Sequence, residues 1–361
     1  MLKMIVCALL SAIMAVNACT VWIIAPDSST TGQFIIHKTR DRVNWRKMQT
    51  KLRWYPDKTE GKYRLLEFGD WMYMNEKGLF IFNTNIPKAK DAVEKMESIS
   101  VTMRNVASQC ADIDSAIALL KSYVNGERKT RHTFYIVSDH TGAVMVEISA
   151  TRIACRKIEN GFAVHSNHFF FPEMAYLNNA PVEKTLPSAT RLEVSRDAIG
   201  SRLAEKGRLS EMDSLEISRL SLEKYHNMCP FRDSTVCCAD YLPDSEYPGV
   251  LGTLLITPGP SRYAPAMSVP ISIGAIPEVL ENGELGRLSY EVKEKLPKDE
   301  ASLEKFRALE TQLRREYLEC QETARKLLRE GKNDEAGKLL DENVARQAKG
   351  VLELFKEVLG K

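Results

Sequence analysis

The chain has 361 residues, of which 44% are hydrophobic and 27% charged, enough for one large domain and a smaller satellite. Its 50 Lys and Arg nearly balance its 48 Asp and Glu, so the formal net charge is only +2 at pH 7. A near-neutral chain without a basic patch lacks the charge pattern of a nucleic-acid-binding protein, and we expect no nucleic-acid partner.

The first 18 residues have the pattern of a secretory signal peptide. Lys3 supplies a positive start, residues 4–14 are almost unbroken apolar sequence, and the segment ends in Val16-Asn17-Ala18. We therefore expect cleavage at its end and a secreted or periplasmic protein without a stable membrane anchor. Two alternatives stay open: an uncleaved anchor that continues through Trp22 to Ala25, and a lipid-modified Cys19.

Cleavage makes Cys19 the first residue of the mature chain, with a thiol and a free α-amine on one residue. The thiolate is the reactive form of cysteine. An α-amine, with a reference pKa of about 7.7 to 8.0, can accept the proton of a thiol whose reference pKa is about 8.5. This chemistry requires no histidine. The six histidines show no metal-ligand spacing, and we expect neither a metal nor a cofactor.

The cysteine count favours one free thiol. Of the eight cysteines, Cys7 lies in the leader, and an odd remainder in an exported protein indicates an unpaired residue, with Cys19 as the candidate. Whether the others form bridges or are buried thiols stays open; they are Cys110, Cys155, Cys229, Cys237, Cys238 and Cys320. Cys237 and Cys238 are adjacent in a predicted strand and are expected to point to opposite faces.

Short strands separated by turns dominate residues 19–296. Many strands with few helices predict packed sheets that carry helices on their outer faces. Strands are predicted at 20–24, 33–37, 78–82, 133–138, 143–149, 153–158, 161–165, 235–240 and 252–257, and helices at 112–123 and 189–206.

The composition changes to charged, helix-periodic sequence at residues 297–361. Apolar residues recur at helical spacing over 303–317 and 336–358, and Gly331 to Asn333 separates the two runs. This predicts a helical hairpin that packs on the main domain or forms a subunit contact, so a homo-oligomer is left open. Three parts follow: a leader at 1–18, a catalytic domain at 19–296 and this extension.

Five short motifs in register carry a family resemblance. They are Cys19-Thr20, Lys38-Thr39-Arg40-Asp41, residues 74–79 leading to Asn83-Thr84-Asn85, residues 138–142 with Val146-Glu147, and His165-Ser166-Asn167-His168-Phe169. Over residues 19–260 the sequence resembles the N-terminal-nucleophile (Ntn) cysteine hydrolases. The branch holds the choloylglycine hydrolases, penicillin V acylases and acyl-coenzyme A:6-aminopenicillanic acid acyltransferases. The resemblance implies an α+β fold, the four-layer αββα sandwich.

The resemblance implies a role for each matching residue. Cys19 attacks an amide carbonyl to form a thioester, and its own amine passes the proton to the leaving nitrogen. Asp41 matches the aspartate that orients this amine. Asn85 and Asn167 match the asparagines that hold the oxyanion, and Arg191 matches the active-site arginine near a helix start.

Alternatives to these assignments stay open. Asn83 replaces Asn85 if the register slips by two residues, because both then face the same side of a strand. Arg196 and Arg232 are alternatives to Arg191. One residue departs from the pattern: choloylglycine hydrolases usually carry an arginine three residues before the aspartate, where this chain has Lys38. A lysine keeps the charge and loses the planar fork of arginine.

Together these residues predict an exported amidohydrolase. It cleaves the linear amide C–N bond of an N-acylated small molecule of the bile salt, penicillin or N-acyl amino acid type, or an acyl homoserine lactone. Aromatic side chains in residues 45–63 and 169–176 can line its pocket. The alternatives are an acyltransferase or dipeptidase of the same fold, and an inactive exported binding protein, which Lys38 favours.

Overall fold

The computed structural model describes residues 19–41, 50–55, 63–69, 71–180, 182–220, 235–296 and 301–361. The predicted leader, Trp45, Cys229 and Arg232 lie outside these residues.

Thirteen strands of the described residues form two antiparallel sheets. The first sheet has the order β10-β1-β2-β11-β12-β13 and the second runs from β3 to β9 in chain order. The strands are β1 (Cys19–Ile24), β2 (Ile35–Asp41), β3 (Leu52–Tyr55), β4 (Leu65–Phe68), β5 (Met72–Asn75), β6 (Phe80–Asn85), β7 (Thr133–Asp139), β8 (Gly142–Ile148), β9 (Ile153–Ile158), β10 (Phe162–His165), β11 (Thr235–Leu242), β12 (Thr253–Thr257) and β13 (Met267–Pro270).

Ten α-helices of the described residues connect or cover these strands. They are α1 (Ile99–Gln109), α2 (Ile113–Asn125), α3 (Pro172–Ala175), α4 (Val182–Lys206), α5 (Glu211–Ser218), α6 (Pro248–Leu251), α7 (Glu278–Glu281), α8 (Glu284–Lys295), α9 (Ala301–Arg329) and α10 (Asn333–Leu359). None of the helices in the described residues is both long and apolar enough to cross a membrane.

The alternation of side chains along β1 shows how the layers are stacked. Val21 and Ile23 belong to the core shared with the second sheet. Trp22 and Ile24 point to the other face, where they pack with residues of α4 and α5. On the far side of the second sheet, α1 and α2 pack against β5 to β8. This is a four-layer αββα arrangement, and the predicted α+β fold is confirmed.

The C-terminal residues form the predicted helical pair, in which α9 and α10 pack against each other and against β13. Gly331, with a φ of 76°, lies in the break between them. A buried ion pair joins α9 to the end of α5: the Arg219 guanidinium binds the Glu310 carboxylate at 2.5 Å, and this carboxylate also accepts the Ala266 N–H. The helical pair α9 and α10 therefore packs on the main domain, which is one of the two arrangements that the sequence left open.

Candidate active site

Cys19 is the first residue of β1 and is fully buried. Its strand lies between β10 and β2, and its Cα is paired with that of Arg40 on β2. Residues opposite each other in an antiparallel pair share a face, and alternate residues along a strand do so as well. Cys19 therefore shares the face of Val21 and Ile23, so its thiol lies between the two sheets at the end of β1.

Asn167 binds the backbone nitrogen of Cys19. The Asn167 Oδ1 accepts from this nitrogen at 2.7 Å and from the Arg191 Nη2 at 2.8 Å. The Asn167 Nδ2 donates to the Asn85 carbonyl at 2.7 Å. Asn167 was predicted as an oxyanion donor; in the structure its amide oxygen holds the backbone nitrogen of Cys19, the atom that the predicted leader removal would convert into an α-amine. Its contribution to an oxyanion site stays a prediction.

Arg191 of α4 is buried beside the same residue. Its Nη1 donates to the Cys19 carbonyl at 2.6 Å and to the Thr20 Oγ1 at 3.1 Å. One planar guanidinium thus fixes the first strand and Asn167 together. Arg196, the alternative, instead lies over the Phe170 ring at 5.5 Å. Of the two, the structure brings Arg191 to Cys19.

Ser188, one turn before Arg191 on α4, fixes the backbone of Asn167. Its Oγ accepts from the Asn167 N–H at 2.7 Å and lies 2.8 Å from the His168 Nδ1. The Ser188 hydroxyl thus contacts both Asn167 and His168 and ties α4 to the loop after β10. Burial, with smaller effects from His165 and Arg191, lowers the pKa of His168 to about 4. Sequence reasoning missed this use of Ser188.

A buried His165–Glu147 pair connects the two sheets. The His165 Nε2 lies 2.7 Å from the Glu147 Oε1, and the Nδ1 lies 2.7 Å from the Ser166 carbonyl. Glu147 also accepts the Phe170 N–H at 2.6 Å. Both ring nitrogens of His165 thus lie at hydrogen-bonding distance from an oxygen atom. The pair anchors the loop that carries Asn167, a function that the motif itself did not reveal.

The two predicted strand-end residues are at the same end of the sheets. Asn85 ends β6, and its carbonyl receives Asn167, whereas the Asn83 Nδ2 binds the Thr133 Oγ1 at 3.4 Å. Asp41 ends β2 and is fully buried. Asp41 acts electrostatically on Tyr290: burial raises the pKa of Tyr290, and charges on Cys237 and Asp41 raise it further. The oxyanion role of Asn85 and the amine contact of Asp41 stay predictions.

Two cations of β2 lie beside the thiol. The fully buried Lys38 Nζ donates to the Asn83 carbonyl and lies 5.2 Å from the centre of the Phe82 ring. Burial lowers the Lys38 pKa to about 7; Arg40 lowers it further, while the Cys19 and Cys237 thiols oppose the shift. The Arg40 Nη1 lies 3.8 Å from the Cys19 Sγ. The sequence pointed to Lys38 and missed Arg40.

The remaining cysteines are free thiols in the described residues. Cys237 and Cys238 lie in different core clusters, as their opposite faces predict. Burial raises the pKa of both thiols to about 12. Neither of these two β11 thiols is therefore a ready nucleophile. Within the described ranges, no group of three or more His, Cys, Asp or Glu can hold a metal ion.

The predicted pocket aromatics are only partly at the site. Phe170 and Tyr176, which follow Asn167 in the chain, are exposed to 45% and 51%. Trp54, by contrast, donates its indole N–H to the Ile273 carbonyl at 2.8 Å and packs against the core. Of these residues, Phe170 is the one adjacent to the site, through its edge contact with the His168 ring.

Comparison with known proteins supports the family resemblance. A sequence profile of the family described as "Acyl-coenzyme A:6-aminopenicillanic acid acyl-transferase" matches residues 60–234. This match confirms the resemblance to the Ntn cysteine hydrolase group. It contains Asn85, Asn167 and Arg191, and it begins after Cys19 and Asp41. Among curated proteins, no sequence matches the chain.

Solved structures of a conjugated bile acid hydrolase from Clostridium perfringens are similar to this chain. One mutant of that enzyme is 13% identical, with a TM-score of 0.45, over 70% of this chain and 92% of that one. Another variant is 12% identical, with a TM-score of 0.33, over 64% and 82%.

Proposed function

We propose, from the place of this chain in the Ntn cysteine hydrolase group, that it is an exported amidohydrolase whose nucleophile is Cys19. Removal of residues 1–18 leaves the thiol and the α-amine on the first residue of β1. The observation that carries the proposal is the pair of contacts on this residue: Asn167 on its nitrogen and Arg40 on its sulfur. A buried cysteine that served packing alone would not require both.

The proposed reaction breaks a linear amide C–N bond in two steps. The α-amine accepts the thiol proton, the sulfur attacks the acyl carbonyl, and the ammonium donates that proton to the leaving nitrogen as the thioester forms. Water then attacks the thioester and releases the carboxylic acid and the thiol. Asn167 and Arg191 contribute by fixing the nitrogen and the carbonyl of Cys19, so that its amine is already oriented.

The substrate class that we propose is an N-acylated small molecule. Bile salts, penicillins, N-acyl amino acids and acyl homoserine lactones all present an acyl carbonyl on nitrogen. The exposed Phe170 next to His168 supports an apolar acyl group at this edge of the site. Mass spectrometry of products from a library of these four classes tests the proposal: release of free acid by the parent and not by Cys19→Ser supports it.

Acyl transfer is the second candidate, because the matching family profile carries the name of an acyltransferase. In that reaction an amine, in place of water, attacks the thioester. The same library assay, repeated with an added amine such as 6-aminopenicillanic acid, separates the two: a new N-acyl product at the expense of free acid indicates transfer. A dipeptidase would instead release amino acids from dipeptides in the same assay.

The alternative that is not an enzyme is an inactive binding protein. N-terminal sequencing of the exported protein, combined with labelling by an iodoacetamide probe, distinguishes it. An enzyme of the proposed kind starts at Cys19 and labels there selectively. A mature terminus upstream of Cys19, together with the absence of labelling and of turnover, would support the binding protein.

A further inference from the structure

Arg40 occupies a defined place in the sheet, between two cysteines. The Cα of Arg40 is paired with that of Cys19 on β1 and with that of Cys237 on β11. Opposite residues of antiparallel strands share a face, so the three side chains form one row on the face that meets the second sheet. Lys38 lies two residues earlier on the same face, paired with Val21 and Ala239.

The guanidinium of Arg40 is directed at the sulfur. Its Nη1 lies 3.8 Å from the Cys19 Sγ, within hydrogen-bonding distance for sulfur. Its Nε is buried without a hydrogen-bond partner among the described residues. Arginine side chains stay protonated in proteins, so Arg40 presents a positive charge to the thiol.

A tryptophan from the second sheet supports this guanidinium. Trp71, in the turn between β4 and β5, is buried, and its ring lies 4.1 Å from the Arg40 Cζ. Arginine stacks on aromatic faces in a way that lysine does not. Gly69, with a φ of 64°, makes room for the indole: a Cβ there would lie 2.8 Å from the Trp71 Cζ2. The turn at Gly69 therefore positions the Trp71 indole, and the indole packs against the Arg40 guanidinium.

Lys38 is fixed elsewhere. Its Nζ is bound to the Asn83 carbonyl on β6 and lies against Phe82, both on the second sheet. This amine ties the two sheets together beside the site. With a pKa of about 7 it is charged in only part of the population near neutral pH, which makes it a poor permanent partner for a thiolate.

We propose that Arg40, held on the indole of Trp71, is the cation that stabilises the Cys19 thiolate, and that Lys38 serves to join the sheets. The catalytic part of this inference rests on the proposed function; the thiolate part does not. Among the described residues, the other titratable or charged groups around this end of the sheets include Lys38 and Asp41 on β2, Cys237 on β11, Arg191 on α4 and Tyr290 on α8, with the His165–Glu147 pair and His168 on the side of Asn167.

The test measures alkylation of Cys19 by iodoacetamide as a function of pH in the mature protein. Peptide mass spectrometry quantifies the Cys19 adduct separately from Cys237. For Arg40→Gln we expect the midpoint of the rate profile to move up by about one pH unit, and the rate at pH 7 to fall about tenfold, because an opposite charge within 4–6 Å favours the ionised form. Arg156→Gln, which removes a surface arginine bound to Glu173, is the matched control and should follow the parent profile.

Two further variants keep the test decisive if Arg40→Gln folds poorly. Arg40→Lys retains the charge without the planar stack, and Trp71→Phe retains a smaller ring; both should give profiles between those of the parent and Arg40→Gln. Melting temperatures identify variants that are merely unfolded. The proposal is overturned if folded Arg40 variants keep the parent profile, or if Lys38→Met moves it as far as Arg40→Gln does.

Turnover provides a second readout. If the parent hydrolyses an acyl substrate, kcat should fall in Arg40→Gln by a factor similar to that of the alkylation rate, with KM little changed. If no substrate is turned over, the proposed function fails and the alkylation profiles still test Arg40. The two failures are therefore distinguishable.

Discussion

The Asn167 Oδ1 lies 2.7 Å from the backbone nitrogen of Cys19, although 148 positions separate the two residues in the chain. The contact joins the first strand to the loop after β10. The same oxygen accepts from Arg191, so the residue that binds the Cys19 nitrogen is itself held in place. In the proposed reaction this nitrogen is the base, and its position is fixed by the contact with Asn167.

Asn167→Ala should remove most of the activity and part of the stability. The change leaves the Cys19 nitrogen and the buried Arg191 Nη2 without this acceptor, which costs about 1–3 kcal/mol in the free energy of unfolding. We expect kcat/KM to fall at least about 100-fold, which is the size of loss that removal of one oxyanion-hole donor causes. Denaturant titration and steady-state kinetics check both. The exposed Asn125, changed to Ala, is the control, and equal losses in the two variants would contradict the assignment.

Arg191→Lys should be far more harmful than Arg196→Lys. Lysine keeps the charge but cannot bind the Cys19 carbonyl, the Thr20 hydroxyl and Asn167 from one planar group. We expect kcat/KM to fall about 10- to 100-fold for Arg191→Lys, with a lower melting temperature, and parent values for Arg196→Lys. Steady-state kinetics on the two purified variants test this prediction. A larger loss of kcat/KM in Arg196→Lys than in Arg191→Lys would make Arg196 the active-site arginine.

Lys38 should make stability depend on pH. Its pKa is lowered to about 7 in the folded protein from an ordinary value of 10.5. Between these two values the unfolded state binds the proton and the folded state does not, so the contribution of Lys38 to the free energy of unfolding rises with pH from about 7 to 10.5 and is lowest below 7.

Comparison with Lys38→Met isolates this effect, because cysteines and tyrosines titrate in the same range in both proteins. The parent should gain at least about 1 kcal/mol relative to the variant between pH 7 and pH 9.5 in urea titrations. Parallel pH profiles for the two proteins would show that the amine keeps its proton when buried.

A one-residue extension before Cys19 should silence the mature enzyme. The thiol remains, but its nitrogen becomes an amide, which cannot accept a proton. Loss of turnover, with an unchanged melting temperature, is the expected result for an Ala-extended protein. Equal turnover with and without the extension would mean that another group takes the proton.

The sequence predicted the longer, regularly alternating strands better than the short ones. The periodic segments at 153–158 and 133–138 were placed within a residue, because their alternation is regular. The strands β3, β4, β5 and β13 were missed, because four residues show little alternation; β10 is equally short and was predicted within 161–165. The helices α1, α5 and α8 were also missed, although α1 and α5 begin at serine N-caps, Ser98 and Ser210.

At the candidate site, too, some residues were predicted from the sequence and others were missed. Cys19, Asn167 and Arg191 were named from motifs, and the structure brings them into contact. Arg40 and Trp71 were missed, because their importance depends on strand register and on a turn of the other sheet. No local pattern contains that information: the residues that hold a side chain in place come from distant parts of the chain.

The most direct test of the account is to trap the acyl group. The mature protein is incubated with an N-acyl substrate that it turns over, quenched in acid, and analysed by peptide mass spectrometry. The account predicts an N-terminal peptide that begins at Cys19 and carries the acyl mass as a hydroxylamine-sensitive thioester, absent from Cys19→Ser. Turnover by a protein that begins elsewhere, or one whose Cys19 amine is blocked, would contradict it.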